Sequence, residues 1–259
     1  MLKGLYTAHT GMINEQHRMD TLTNNLANAN TVGFKKEGAT SEAFGDLLAV
    51  KIKDMSVGRR IVQPLGFNNP GVKIGENYTD FTQGSFRVTG NTYDLAISGS
   101  GFFTIEFTNK AGETSTMYTR AGQFTLNREG FLVTEDGDYV LDTQSRRIQL
   151  DTLRDSFIDK DGTIYQNDVP VATIQITDFE DYNYLAKFAE TYYYPVEGAV
   201  IIPTNAEINS GYLEMANMQV VSEMVNLIAI TRAYESNQKI IQTYDSSLEI
   251  AVNQLGKLQ

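Results

Sequence analysis

The sequence predicts an α+β protein in which long N- and C-terminal helices, paired in a coiled-coil-like layer, bracket an inserted antiparallel β-rich domain. Three observations predict it. Near the C-terminus, Val220, Leu227, Tyr234, Ile241, Leu248 and Leu255 recur every seven residues. Near the N-terminus, Leu5, Met12, Met19 and Leu26 keep the same spacing. Between them the pattern changes to alternation and short apolar runs broken by turn formers, which is the signature of strands. The implied division is an N-terminal helix and its terminating segment (1–36), a linker or extended arm (37–71), a β-rich middle (72–208) and a C-terminal helix (209–259).

The first helix has Leu2, Ala8 and Leu22 beside its main line, and it should stop near Asn28-Ala29-Asn30. Gly33 can take the left-handed conformation that closes a helix, and Asn tolerates it too. In the connector, Ser41 to Met55 carries scattered apolar residues that fit a short helix or an extended arm. Pro64, Gly66, Asn68-Asn69-Pro70 and Gly71 follow as turn formers. Strands are then predicted at Ser85–Val88, Leu95–Ile97, Phe102–Ile105, Gln123–Leu126, Phe131–Val133, Val171–Phe179 and Tyr192–Ile202. Turns such as Asn127–Gly130, Asp136-Gly137 and Asp161-Gly162 separate several of them, as in a compact antiparallel domain.

From Gly211 onward there is no proline, and the only later glycine is Gly256. A second line, three residues from the first, reads Glu223, Ile230, Asn237, Tyr244, Ala251 and Leu258. Two lines offset by three and repeating every seven keep one helix face on a partner at 3.5 residues per turn. At 1.5 Å per residue such a helix runs roughly 70 Å, beyond what a globular domain needs. Its stripe demands burial, since each large apolar side chain removed from water is worth about 1.5–3 kcal/mol. A helix packed on its own domain is one solution, and pairing with another helix is the one the length favours.

Composition removes several classes of function. With no Cys there is no disulfide framework, thiol nucleophile or thiolate zinc site. A formal charge of −11 argues against nucleic acid as a partner, because phosphate binding needs clustered Lys and Arg. Residues 1–36 carry four basic and two acidic groups (+2), and residues 211–259 carry three basic and five acidic (−2). The middle therefore holds the whole −11, and the two terminal helices meet with almost no net repulsion. The sequence shows no signal-peptide pattern and no apolar run long enough to span a bilayer, so no membrane insertion is expected.

Signals for chemistry have plainer readings. His9 and His17 lie eight apart on one helix, whereas a helical metal pair prefers three or four. Asp159-Lys160-Asp161-Gly162 lacks the later glutamate of a calcium loop and reads as a hairpin turn. Gly99-Ser100-Gly101 is followed by a strand instead of a phosphate-binding helix. The carboxylates of Glu135-Asp136-Gly137-Asp138 read as a solvated turn. No catalytic residue, metal ligand or cofactor is predicted, and the chain reads as a non-enzyme.

The motifs then converge on one family. Asn24-Asn25-Leu26-Ala27-Asn28-Ala29-Asn30-Thr31-Val32-Gly33-Phe34-Lys35 resembles the N-terminal signature of bacterial flagellar basal-body rod and hook proteins. The centre is similar at Thr82-Gln83-Gly84, Thr89-Gly90-Asn91, Asp94 to Ile97, Gly99 to Phe103 and Tyr118-Thr119-Arg120-Ala121-Gly122. So is the C-terminus, at Gly211-Tyr212-Leu213-Glu214, Glu223-Met224-Val225, Arg232-Ala233-Tyr234-Glu235, Asn237, Lys239 and Gln242 to Asp245. Two departures are Met215-Ala216-Asn217-Met218, where the family usually shows Ser-Asn-Val, and Ile230-Thr231, where Gln commonly precedes the arginine.

The resemblance implies a structural subunit of the flagellar basal body, exported by the flagellar type III system and polymerised helically into a tube. Its expected partners are copies of itself, neighbouring rod and hook proteins, and the export apparatus. Length and a single β domain resemble the distal type of rod subunit or its proximal-rod paralogue, with the linker spacing nearer the distal type. The expected assembly interface is Leu5, Met12, Met19, Leu22, Leu26, Val220, Leu227, Ile230, Tyr234, Asn237, Ile241, Tyr244, Leu248 and Leu255. The expected signature positions are Asn25, Leu26, Ala27, Asn28, Thr31, Gly33, Phe34, Arg232, Tyr234 and Glu235. Two alternatives stand beside this reading. One is a hook or hook-associated axial protein. The other is a secreted carbohydrate-active or glycan-binding β protein with a coiled-coil tail, using Tyr182 and Tyr184 or Tyr192 to Tyr194.

Overall fold

In the computed structural model, residues 2–52, 62–110, 112–204 and 206–255 are described. Helix α1 spans Leu2–Ala27 and helix α2 spans Val220–Leu255, and every strand lies between them. The chain is α+β, with a helix at each end of a β-rich antiparallel region. It divides into two compact units.

The first unit holds α1 up to Leu26, residues 37–78 and residues 220–259. Its four strands are β1 (Glu37–Ala43), β2 (Leu47–Ile52), β3 (Val62–Asn68) and β4 (Val72–Thr79). Of the connector's predicted turn formers, Asn69-Pro70-Gly71 joins β3 to β4, whereas Pro64, Gly66 and Asn68 lie within β3 and pair with β2; β1 pairs with β4. One side of α1 carries this arm through polar contacts. Asn14 Nδ2 donates to Ser41 Oγ at 2.9 Å. Thr7 Oγ1 donates to the Pro70 carbonyl at 3.3 Å. Asn25 makes both bonds of a peptide mimic, giving its amide to the Glu37 carbonyl (2.7 Å) and accepting from Glu37 N (2.9 Å). Gly71 (φ +134) leaves room for Thr10, which a Cβ there would strike.

The second unit holds residues 27–36 and 79–219. Its strands are β5 (Phe86–Val88), β6 (Leu95–Ser98), β7 (Phe102–Thr108), β8 (Thr114–Thr119), β9 (Phe124–Leu126), β10 (Leu132–Thr134) and β11 (Tyr139–Val140). Then come β12 (Ser156–Ile158), β13 (Thr163–Gln166), β14 (Val169–Thr173), β15 (Ile176–Phe179) and β16 (Leu185–Lys187). Last are β17 (Tyr192–Pro195), β18 (Ile201–Ile202), β19 (Glu207–Ser210) and β20 (Tyr212–Glu214). The largest sheet runs β16-β17-β8-β7-β11-β10-β9, with β15 and β18 branching from β7.

Strand β7 explains the core. Successive side chains of a strand point to opposite faces. Phe103 and Ile105 enter a cluster with Leu95, Ile97, Phe124 and Leu132. Phe102, on the other face, meets Tyr118, Phe179 and Tyr193. Both faces are covered, so the strand reads as a continuous apolar run.

The C-terminal helix starts at Val220, where the seven-residue pattern begins, and later than the predicted helical segment 209–259. Residues 207–210 and 212–214 form β19 and β20, which pair antiparallel with β6 and β5. Leu213 and Glu214 are buried there, and nothing in Tyr212–Glu214 breaks a helix by itself. Tertiary pairing decides it. The 36 residues of α2 then span roughly 54 Å. A second correction concerns the turn at Glu135–Asp138, which its sequence predicts to be solvated. Asp138 is buried, and its carboxylate accepts the Tyr192 hydroxyl at 2.9 Å. Burial pushes the Asp138 carboxyl above its ordinary value, and the charge of Asp136 adds to the rise.

Asp142 behaves oppositely. Burial alone would raise its carboxyl, but hydrogen bonds from the backbone of Thr173 and Thr143, the Thr143 hydroxyl and Arg146 hold it below the ordinary value. A carboxyl depressed on folding contributes stability that is fully present above its unfolded pKa and lost as pH falls through the folded one. Asp142→Asn removes the charge and turns an acceptor into a partial donor. It should cost about 1–3 kcal/mol at neutral pH. Urea titrations at stepped pH should show the gap to wild type closing below about pH 4. A gap that stays constant down to acid pH would refute the assignment.

Candidate assembly face and a buried charge cluster

The predicted interface residues fall on one face of α2. Between residues 220 and 254, the positions that are not exposed are Glu223, Leu227, Ile230, Thr231, Tyr234, Asn237, Ile241, Tyr244 and Ala251. All but Thr231 lie on the two seven-residue lines. Ile230 is the deepest, at 5% exposure. Val220 and Leu248 stand at the exposed edge, and the Leu255 side chain lies outside the described residues. On α1, Leu5, Met12, Met19, Leu22 and Leu26 are all partly covered.

The two helices touch at three levels. Tyr244 sits where a Cβ on Gly4 would be, and the Asn237 amide lies 3.1 Å from the corresponding point on Gly11. Thr231 Oγ1 reaches Met19 Sδ at 3.9 Å. Numbers rise along α1 as they fall along α2, so the contact is antiparallel. Gly4 and Gly11, themselves seven apart, are the notches that admit the two polar-tipped residues of α2. The sequence does not flag them, because a glycine adds nothing to a hydrophobic pattern. Away from the seam, Val221, Met224, Val225 and Ile228 are 70, 47, 61 and 53% exposed.

The signature positions do different work. Asn28 receives the Thr31 hydroxyl at 3.0 Å and its carbonyl receives Thr31 N at 3.1 Å, which turns the chain out of α1. Gly33 follows at φ +69, so close to Arg120-Ala121 that a Cβ would overlap their backbone. Phe34 is fully buried with Lys187 Nζ 4.5 Å from its ring centre. Ala27, Arg232 and Glu235 are exposed, and Tyr234 is partly covered.

Glu214 gathers four of the motifs. It is fully buried. Oε1 meets Lys35 Nζ at 2.6 Å and accepts Gly84 N at 2.9 Å, while Oε2 meets Arg120 at 3.2 Å. Its carbonyl accepts Gly33 N at 2.8 Å. Lys35 also donates to the Thr82 carbonyl (2.8 Å), and Arg120 to that of Gly99 (2.8 Å). Burial pushes the Lys35 amine below its ordinary value, against the opposing pull of the Glu214 charge. Gly84 lies so near the Met215 carbonyl that no side chain fits. Beside this cluster, Asn217 accepts Lys36 N (2.8 Å) and donates to the Asp80 carbonyl (2.6 Å) and to Thr82. Lys35, Gly84, Arg120 and Glu214 all belong to the motifs that carry the resemblance, but no spacing rule brings positions 35, 84, 120 and 214 together.

The same motifs match known families along the chain. Residues 5–35 match the flagella basal body rod protein model, and residues 96–166 match the D1 domain of the flagellar hook protein FlgE/F/G. Residues 209–255 match the C-terminal model of the flagellar basal body rod FlgEFG proteins. The chain is 36% identical to the flagellar basal-body rod protein FlgF of Caulobacter vibrioides over 263 residues, all of both chains. The chain belongs to the flagellar basal-body rod protein family. It is also 34% identical to the flagellar basal-body rod protein FlgG of Bacillus subtilis, across 98% of this chain and 99% of that one. The flagellar hook-basal body complex protein FlhO of the same organism is 31% identical over the full length of both.

As a member of this rod family, the chain is a structural component of the flagellar basal body and assembles with other basal-body proteins. No described helix is long and apolar enough to cross a membrane. Of the tyrosines in the glycan-binding alternative, Tyr182, Tyr192 and Tyr193 are used in packing, while Tyr184 and Tyr194 are exposed. Tyr182 stacks with Phe81 and Phe102, Tyr193 is buried between the same rings, and Tyr192 is bonded to Asp136 and Asp138.

Proposed function

We propose that this rod subunit polymerises with copies of itself through a coiled-coil-like layer of α1 and α2, after export by the flagellar type III system. The observation that carries the reading is the state of α2. Its seam is only partly covered, and four apolar residues beside the seam are open to water. A long helix left in that state gains from packing against the helices of neighbouring subunits. The interface would comprise the fourteen seam residues of both helices, Tyr234 among them, with the exposed Arg232 and Glu235 adding polar contacts. Head-to-tail contacts that do not close give a helical filament. Ordering that completes only on assembly keeps the monomer exportable and confines growth to the filament tip. The arm of residues 37–71 would reach adjoining subunits, and the reading requires no catalysis. In this scheme α1, the arm of residues 37–71, the β-rich second unit and α2 act as axial helix, arm, outer domain and axial helix. The test is the position of labelled chain in isolated basal bodies, with expected density in the rod. Label confined to the hook or to the surrounding envelope would overturn it.

Asn237 tests the layer itself. Its amide sits over Gly11 at the middle of the helix contact. A polar residue on a seam loses stability but fixes register, because one alignment satisfies it. Asn237→Leu should leave helicity by circular dichroism undiminished while basal bodies show misassembled or non-extending rods. Rods of normal length and diameter would show that Asn237 does not set register.

A further inference from the structure

The three-stranded sheet β12-β13-β14 has an outer face that nothing among the described residues covers. Phe157 stands directly opposite Tyr165, and Tyr165 opposite Pro170, so an apolar row crosses all three strands. Phe157 is 65% exposed, and Pro170 is exposed as well. Beside the row lies an open hollow of about 530 Å³ lined by Asp155, Phe157, Asp159, Tyr165, Asn167 and Asp168. It has three carboxylates and no lysine or arginine. Asp155 and Asp168 make no ion pair among the described residues. Aromatic faces edged by carboxylates suit a cation carried on an aliphatic stem, which the carboxylates pair and the ring faces attract. They do not suit a phosphate or an acidic peptide.

The chain supplies such a group. Residues 51–60 read Lys-Ile-Lys-Asp-Met-Ser-Val-Gly-Arg-Arg, four basic groups against one acidic, +3 in a chain whose total is −11. Lys51 and Ile52 end β2, and residues 53–61 lie outside the described part. Met55 and Val57 give it apolar groups to meet the row.

We propose that the hollow at Asp155, Asp159 and Asp168 is the docking site for the basic segment 51–60 of a second copy. The inference rests on the homopolymer reading above, because it needs a neighbouring subunit. It adds a receptor for the arm that the terminal helices do not provide. An occupied hollow would tie the arm of each subunit to the outer domain of the next, a contact set by charge and therefore by register.

The absence of native cysteine makes the test direct. Full-length Asp168→Cys and Arg60→Cys chains are mixed, polymerised, collected by sedimentation and oxidised with copper phenanthroline. A disulfide-linked dimer is expected between the two chains. Adding Asp155→Asn and Asp159→Asn to the first chain should lower its yield by about tenfold, and raised salt should do the same. A pair that places the first cysteine at Thr114, elsewhere on the second unit, gives the background. Polymer that sediments normally but cross-links no more than this background overturns the inference and leaves the homopolymer reading standing. A chain carrying both Asp168→Cys and Arg60→Cys that closes on itself as a monomer also overturns it. Wild-type chain that forms no sedimentable polymer sinks the homopolymer reading, and the inference with it.

Discussion

Glu214→Gln should unfold the β-rich unit at concentrations of urea that leave the wild type intact. The substitution keeps the shape and one acceptor for Gly84 N, but removes the charge that faces both Lys35 and Arg120. Two cations, 1% and 4% exposed at their side chains, are then left without their carboxylate. Breaking a buried ion pair by taking one partner costs on the order of 3–5 kcal/mol, because the other charge stays desolvated. Stability of a domain this size is typically about 5–15 kcal/mol, so a large share of it is at stake. With no Trp in the chain, tyrosine ellipticity in the near ultraviolet is the suitable probe. Adding Lys35→Met to Glu214→Gln should recover part of the loss, since an apolar chain suits the site once the acid is gone. A loss under about 1 kcal/mol for Glu214→Gln alone would show that water reaches the cluster and screens it.

The contrast between this cluster and the helices explains which features are legible in the sequence. Seven-residue lines are local, so Val220 to Leu248 and Leu5 to Leu26 mark the seam faces of α2 and α1 by spacing alone. Gly33 and the Asn-rich run before it likewise mark the end of α1, which stops at Ala27. Strand β7 is legible because the physics of a strand buried on both faces acts on adjacent residues. Pairings set by distant partners are not legible. The predicted C-terminal helical segment begins about ten residues before the true start of α2, because Tyr212–Glu214 is held as a strand by Phe86–Val88, more than 120 positions away. The four strands of the arm stay hidden because each pairs with a segment whose own pattern is weak. Asp138 looks like a surface turn residue in the sequence, but it is buried and bonded by groups distant along the chain, among them Tyr192, 54 residues later. Glu214 is the clearest case: a carboxylate in an otherwise ordinary strand, given meaning by three groups scattered over the preceding 180 residues.

Ile230→Asp should abolish rod assembly while the isolated β-rich unit keeps its melting behaviour. Ile230 is the one fully covered apolar residue of α2 among those described, on the line that also holds Asn237 and Tyr244. Removing its burial costs about 1.5–3 kcal/mol, and a carboxylate without a partner on the same spot adds a desolvation penalty of several kcal/mol or protonates to avoid it. The helix itself suffers little, since Asp lowers helix propensity by less than about 1 kcal/mol at one position. The damage therefore lies in packing, first against α1 and then against any neighbouring subunit. Leu227→Asp, at a partly covered position of the single chain, separates the two effects. If the seam is completed by other subunits, its variant should keep monomer helicity close to wild type and still fail to assemble. Val225→Asp, on the exposed side, should fail in the same way only if a neighbour covers that side too. The measurements are motility in soft agar, rod length by electron microscopy, and thermal unfolding of the purified chains followed at both helix and tyrosine wavelengths. Normal motility with Ile230→Asp and Leu227→Asp together would show that this face of α2 bears no assembly contact.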